Sequence, residues 1–229
     1  MIKKLILFVF LVCSSVDIYS QSLTNSNLIA YARATPEKYT KDTYSLATYL
    51  QAGAQNKKET VELFFYWIAH HIAYDVEMYQ SRNFSDVTVV SALEKRKIIC
   101  QGYAELFATL CEDVDINCEV IRGYGKGFSY TGKKERDTNH AWNAVKIDNQ
   151  WYLLDVTWGS GHAVMEENQM KYVQELNLRY LFTKPEKFVL NHLPQDAKWQ
   201  LLSKLVSEEQ FYSTDFEVER LNSYAEDEH

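Results

Sequence analysis

Two strand-like runs, His140 to Ile147 and Gln150 to Thr157, flank the dipeptide Asp148-Asn149. Asp and Asn tolerate the positive φ angles that a two-residue hairpin turn requires. A hairpin at this point constrains the fold strongly, because turn length sets the register and register decides which side chains share a face. With Asp148 and Asn149 as the turn, Ile147 faces Gln150 and His140 falls opposite Thr157. His140 and Asp155 then share a face as diagonal neighbours, with Cα atoms roughly 7–8 Å apart. A turn one residue longer would send them to opposite faces.

The region before the hairpin reads as helical. Val61, Phe64, Phe65, Ile68 and Ile72 recur at helical spacing over Thr60 to Ile72, with Trp67 beside that face. Ser45 to Ala52 is a shorter helix closed by Gly53. Ser91 and Glu94 form a capping-box pattern for another. A further helix starts at Cys100 or Gln101, with Tyr103, Phe107, Leu110 and Cys111 on its buried stripe. Cys118 to Tyr124 changes to an extended pattern. Later, Gly159 to Gly161 reads as a loop, Arg179 to Phe182 as a strand and the residues after Pro185 as a short helix. Helices first and antiparallel strands later predict an α+β fold with segregated layers.

The 229 residues include 24 basic and 31 acidic side chains and carry no long linker or repeat. That length suits one domain. Lys3 and Lys4 precede an apolar run from Leu5 to Val12, the pattern of a secretory signal peptide cleaved after Ser20. The run is too short to span a bilayer, so no membrane anchor is expected and the chain is expected to be exported. Cys13, next to bulky Val12, makes a minor lipoprotein alternative. Removing Lys3, Lys4 and Asp17 leaves 22 basic and 30 acidic residues, a net charge of −8. No basic stripe is present, which argues against nucleic acid as a partner. The expected organisation is a signal peptide over 1–20, an extended lead-in over 21–43, one domain over 44–213 and a solvated acidic tail over 214–229.

Cysteine chemistry is the strongest functional signal. Cys100 sits at a helix start, where free N–H groups and the helix dipole favour a thiolate. A histidine nearby stabilises that thiolate, and a carboxylate fixes the histidine ring. Cys100, His140 and Asp155 therefore form a candidate nucleophile, base and orienting group, and the Cys100 N–H is a candidate oxyanion donor. Each also has a structural reading: a core cysteine, a surface histidine, an aspartate bonding a loop. Cys111 and Cys118 either bridge or remain as buried thiols; an odd cysteine count after cleavage leaves at least one thiol unpaired within the chain. Trp142 and Trp158 are candidate cleft walls, with packing as their default role, and Tyr74 is a candidate extra oxyanion donor. His70 and His71 point to different helix faces, and His162 and His192 lack a metal-site spacing, so no metal is expected.

Four motif blocks resemble the transglutaminase-like superfamily. They are Cys100-Gln101-Gly102-Tyr103-Ala104, then His140-Ala141-Trp142-Asn143, then Trp151 to Trp158, with Trp67-Ile68-Ala69 to Asp75 upstream. Tyr180 to Thr183, Pro185 to Phe188, His192-Leu193-Pro194 and Trp199 to Leu202 resemble the branch that contains kyphoscoliosis peptidase. The resemblance covers roughly Ser45 to Leu202. It implies a papain-like α+β core, with the nucleophile helix packed on an antiparallel sheet. It also implies acyl transfer through a thioester at Cys100, with His140 as base and Asp155 as orienting carboxylate, and no metal or organic cofactor. The implied substrates are peptide or protein amides, with cell-wall peptides or extracellular proteins within reach of an exported enzyme. A peptidase or amidase is expected over a cross-linking transglutaminase, since the chain is short and a hydrolase needs only water as acceptor. A binding or scaffold module that has lost activity is the competing class. One departure stands out: Ile98 replaces the glycine that family members often carry two residues before the cysteine, where it would narrow the approach to the thiol.

Overall fold

The computed structural model describes residues 25–226, with side chains through residue 220. The expected signal peptide lies outside them. The chain enters through a helix, α1, over 25–33, where an extended lead-in was expected. Leu28 and Ala32, four residues apart, form its buried edge, which is why a mixed polar segment coils.

Two longer helices follow: α2 (Thr43–Ala52), capped by Asp42, and α3 (Lys57–His71), capped by Asn56, whose side chain accepts from Glu59 N–H. Every residue of α3 from Thr60 to Ala69 is buried, so this helix forms the centre of the core rather than an amphipathic layer. The short strand β1 (Ala73–Tyr74), helix α4 (Val76–Ser81), helix α5 (Val89–Lys95) and strand β2 (Lys97–Ile98) then lead into α6 (Cys100–Glu112). The cap of α5 is Thr88, which accepts from Ser91 N–H, so the helix begins earlier than the Ser91–Glu94 pattern indicated.

The sheet is antiparallel, in the order β5-β4-β3-β8, from β3 (Cys118–Gly125), β4 (His140–Ile147), β5 (Gln150–Leu154) and β8 (His192–Pro194). Helix α6 lies against it, with the Asn143 side chain on β4 donating to the Ala104 carbonyl at 3.0 Å. This is the α+β arrangement expected of the chain. Asp148 and Asn149 both have positive φ, and Ile147 pairs with Gln150 as the two-residue turn predicts. The ladder stops at Asn143 and Leu154, however. Thr157 belongs instead to a short helix, α7 (Val156–Ser160), so it does not face His140.

Beyond α7 the expected glycine loop is absent. Gly161 opens a hairpin of β6 (Gly161–Glu166) and β7 (Gln169–Gln174), turning at Glu167-Asn168 with positive φ at both. Glu is a poor marker for such a turn, which hid the hairpin in the sequence. The strand expected over Arg179–Phe182 is a 3₁₀ turn (Leu178–Tyr180) followed by one bridge from Thr183 to Leu153. Helix α8 (Pro185–Phe188) starts at the proline as expected.

Two helices end the described chain, α9 (Glu208–Phe211) and α10 (Thr214–Glu226). The run expected to be a solvated tail is therefore helical, helped by Asp215 and Glu217 in its first turn. It is anchored by Lys126, whose ammonium is buried against the Phe211 ring, donates to the Phe211 carbonyl at 2.5 Å and pairs with Glu217 at 3.2 Å. Among the described residues, no helix is long and apolar enough to cross a membrane.

Candidate active site

Cys100 is the first residue of α6, and the residue before it, Ile99, supplies no side-chain cap. The backbone N–H groups of the first turn are thus open to a ligand or a developing charge. The thiol is partly exposed, whereas Cys111 is buried, and all three described cysteines are free. Burial, then the hydrogen bond with Cys118, pushes the Cys111 thiol well above its ordinary range. Of those two side chains, Cys100 is the one placed to react.

Ile98, where family members often carry glycine, is held inside the fold. Ile98 pairs with Tyr74 in the β1–β2 ladder and is fully buried. Its Cγ1 occupies the space that a Cβ on Gly102 would need. The branched side chain is thus packed against the first turn of α6 at Gly102.

His140 opens β4 and sits opposite Gly123 on β3. Gly125, two residues on, allows the ring to lie across β3, since a Cβ there would come within 2.9 Å of the His140 Cβ. The imidazole stacks on Trp158, with centroids 4.7 Å apart, and its Nε2 lies 2.7 Å from Asp155 Oδ2. Cys100 is a neighbour close enough to add, after Asp155, to the upward push on the ring. An ionised carboxylate only accepts, so Nε2 carries a proton.

Asp155 reaches His140 by a route that differs from the expected ladder. It is the N-cap of α7, still extended at φ −130°, ψ 98°, with the side chain divided between two tasks. Oδ1 accepts from the N–H groups of Thr157 at 2.9 Å and Trp158 at 3.1 Å, while Oδ2 faces His140. The carboxylate has no solvent exposure. Burial opposes its charge, yet His140 and then His192 hold it well below the usual carboxylate range. Burial likewise opposes a charged His140, and the adjacent Asp155 overrides it, holding His140 up at about 10.

His192, on β8, joins this cluster, which its sequence spacing did not reveal. Its Nε2 lies 3.0 Å from the same Asp155 oxygen. Burial outweighs that bond and pushes its ring down to about 4. His140, Asp155 and His192 are also the one group among the described residues with the composition of a metal site, their donor atoms lying within 4.8 Å of one another. Two ligands on a tetrahedral ion stand about 3.3 Å apart. The 2.7 and 3.0 Å separations to one oxygen fit two N–H donors on a carboxylate instead.

The other candidates occupy the walls. Trp142 is buried, packing edge-on against Phe188 and His192, so it backs the histidines and presents no open surface. Trp158 is partly exposed beside His140. Tyr74 is partly buried; burial first, then nearby Cys100, raises its hydroxyl pKa, so the phenol remains a proton donor at neutral pH.

A helix-start cysteine packed on an antiparallel sheet that carries a histidine is the papain-like cysteine protease architecture. Residues 44–156 match the model of the transglutaminase-like superfamily. The chain is 38% identical to kyphoscoliosis peptidase of Mus musculus and 36% identical to that of Homo sapiens, each over 160 residues. Those matches cover 69% of this chain and 24% of either relative, so the chain spans about a quarter of their length. Among solved structures, that of a TGase superposes with a TM-score of 0.40 at 18% identity, covering 71% of this chain and 37% of that one. The chain belongs to the transglutaminase-like superfamily, in the branch that resembles kyphoscoliosis peptidase.

Proposed function

We propose that this chain is an exported, cysteine-dependent acyl-transfer enzyme that acts on peptide or protein amides, chiefly as a peptidase or amidase. The observation that carries the reading is a partly exposed thiol at an uncapped helix start with the buried imidazole of His140 as its neighbour. Asp155 anchors that imidazole from the other side at 2.7 Å. The relatives named as peptidases support hydrolysis as the outcome. The amino-terminal Lys3-Lys4 and apolar run support export.

In this reading the thiol proton already rests on His140 before attack, and the Cys100 sulfur forms a bond to the amide carbonyl carbon. The oxygen becomes an oxyanion that the Cys100 N–H receives. Collapse breaks the C–N bond, and His140 returns its proton to the departing amine or ammonia. The thioester is then attacked by water, whose proton His140 accepts, releasing an acid and restoring the Cys100 sulfur beside a protonated His140. Asp155 stays ionised throughout and keeps the ring in place.

Mass spectrometry of a peptide mixture incubated with the wild type and with Cys100→Ala tests the proposal. Cleaved or deamidated peptides that depend on Cys100 support it, and cross-linked pairs would move the assignment to a transglutaminase. Identical spectra for the two proteins would leave a binding module as the reading.

A further inference from the structure

The Asp155 carboxylate is shared. Its Oδ2 accepts from His140 at 2.7 Å and from His192 at 3.0 Å, and the two rings approach it from strands on either side of β3. His192 stands opposite Gly125 in the β3–β8 ladder, and its ring centroid lies 5.4 Å from that of His140. The ring is wholly buried. It stacks on Phe188 at 4.0 Å, with Trp158 at 4.3 Å and Trp142 at 5.0 Å, and Nδ1 lies 2.5 Å from the Asn191 side-chain Oδ1. A flip exchanges the amide oxygen and nitrogen, so a neutral ring protonated on Nε2 takes an N–H of Asn191 at Nδ1.

A phenyl ring would suit such an aromatic box on packing grounds, and it would avoid the cost of burying polar nitrogens. What the imidazole adds is an N–H aimed at the oxygen that orients His140. We infer that His192 is a positioning residue of the active site, whose Nε2–H fixes the Asp155 carboxylate so that one oxygen stays in line with His140. This rests on Cys100, His140 and Asp155 acting as proposed above. The bond requires Nε2 to be protonated, because the carboxylate can only accept. Three of the four hydrogen bonds on Asp155 come from elements other than β4: two from the start of α7 and one from β8. Without His192, Oδ2 keeps His140 alone and loses a donor that favours its charged form. The ionisable groups facing this carboxylate are His140 from β4, His192 from β8 and, more weakly, Tyr74 from β1, with Cys100 of α6 reached through His140.

The test is the rate of Cys100 alkylation by iodoacetamide between pH 4 and 9, in the wild type, His192→Phe and His192→Gln. Wild-type Cys100 is expected to label faster than Cys111 or Cys118. His192→Phe should slow Cys100 by roughly tenfold at pH 7, the reach of one hydrogen bond to a charged group. It should also move the acid limb of the profile upward, since Asp155 then protonates more readily. His192→Gln, which keeps an N–H donor, should restore both. A His192→Phe profile with the wild-type acid limb, or slowed equally at every pH, would overturn the role of His192. Wild-type Cys100 labelling no faster than the other thiols would instead overturn the active-site reading itself. Should His192→Phe fail to fold, ¹⁵N-resolved spectra of the wild-type imidazoles decide. A protonated Nε2 on His192 from pH 6 to 9 supports the inference, and an unprotonated one defeats it.

Discussion

The Cγ1 of Ile98 lies 2.1 Å from the point where a Cβ on Gly102 would sit. The missing glycine before the nucleophile is thus matched by a glycine inside the nucleophile helix, which makes room for the larger neighbour. Gly102→Ala should therefore destabilise the fold by about 1–3 kcal/mol, the usual cost of overpacking, despite the better helix propensity of alanine. Adding Ile98→Ala should recover part of the loss. Chemical denaturation of the two variants checks this; an unchanged midpoint for Gly102→Ala would refute it.

Asp155 caps α7 with one oxygen and holds the histidines with the other, and two substitutions separate those roles. Asp155→Asn keeps an oxygen for Thr157 and Trp158, yet turns an amide towards two N–H donors. Amide hydrolysis should fall by roughly 10³–10⁴, as when the carboxylate of a triad is neutralised. Asp155→Ala should fall as far and, in addition, lose about 0.5–2 kcal/mol of stability through the missing cap. Equal stability of the two variants would rule out a capping role.

Stability should peak near neutral pH. His140 is raised from 6.5 to about 10 once Asp155 overrides burial, so its contribution is complete below 6.5 and disappears as pH rises through 10. His192 is lowered from 6.5 to about 4, mainly by burial, so its neutral ring favours the fold above 6.5 and that preference is lost as pH falls through 4. Thermal melts from pH 4 to 10 should show both declines, and His192→Gln should flatten only the acid side. An acid limb unaffected by His192→Gln would show that other groups control it.

Lys126 ties the last two helices to the end of the sheet through Phe211 and Glu217. Lys126→Met keeps the apolar stem and removes the ammonium. Amide hydrogen exchange in α9 and α10 should quicken by about tenfold or more, the worth of a hydrogen bond to a charged group, while α6 stays protected. Unchanged exchange would mean that the packing of Phe211 and Phe216 holds these helices by itself.

The features legible in the sequence are those encoded over short stretches of chain. Asp148-Asn149 specified the turn and hence the pairing of Ile147 with Gln150, because only a few residue types accept positive φ at two successive positions. The helical stripe of Tyr103, Phe107, Leu110 and Cys111 put the start of α6 at Cys100 or Gln101, and the helix begins at Cys100. Helical spacing located α3, although its burial on all sides had no signature beyond a dense apolar content. Where local signals were weak or shared, the expectation failed: Glu167-Asn168 hid a hairpin, and an acidic run concealed α10.

His140 and Asp155, 15 residues apart, meet just beyond the end of the β4–β5 ladder, where Asp155 leaves the hairpin as the N-cap of α7. His192 is 37 residues from Asp155 and reaches it only because the chain returns to lay β8 along the far side of β3. No local pattern encodes that return; it depends on the packing of Phe188, Trp142 and Trp158 around the ring. The packing of Ile98 into the space at Gly102 is likewise a matter of two elements meeting. The sequence by itself determined the chemistry available, a cysteine at a helix start and a histidine and aspartate at the open end of one hairpin. The tertiary structure alone decided how the Asp155 carboxylate is used, because burial and long-range strand pairing, not spacing, determine which donors surround a charge.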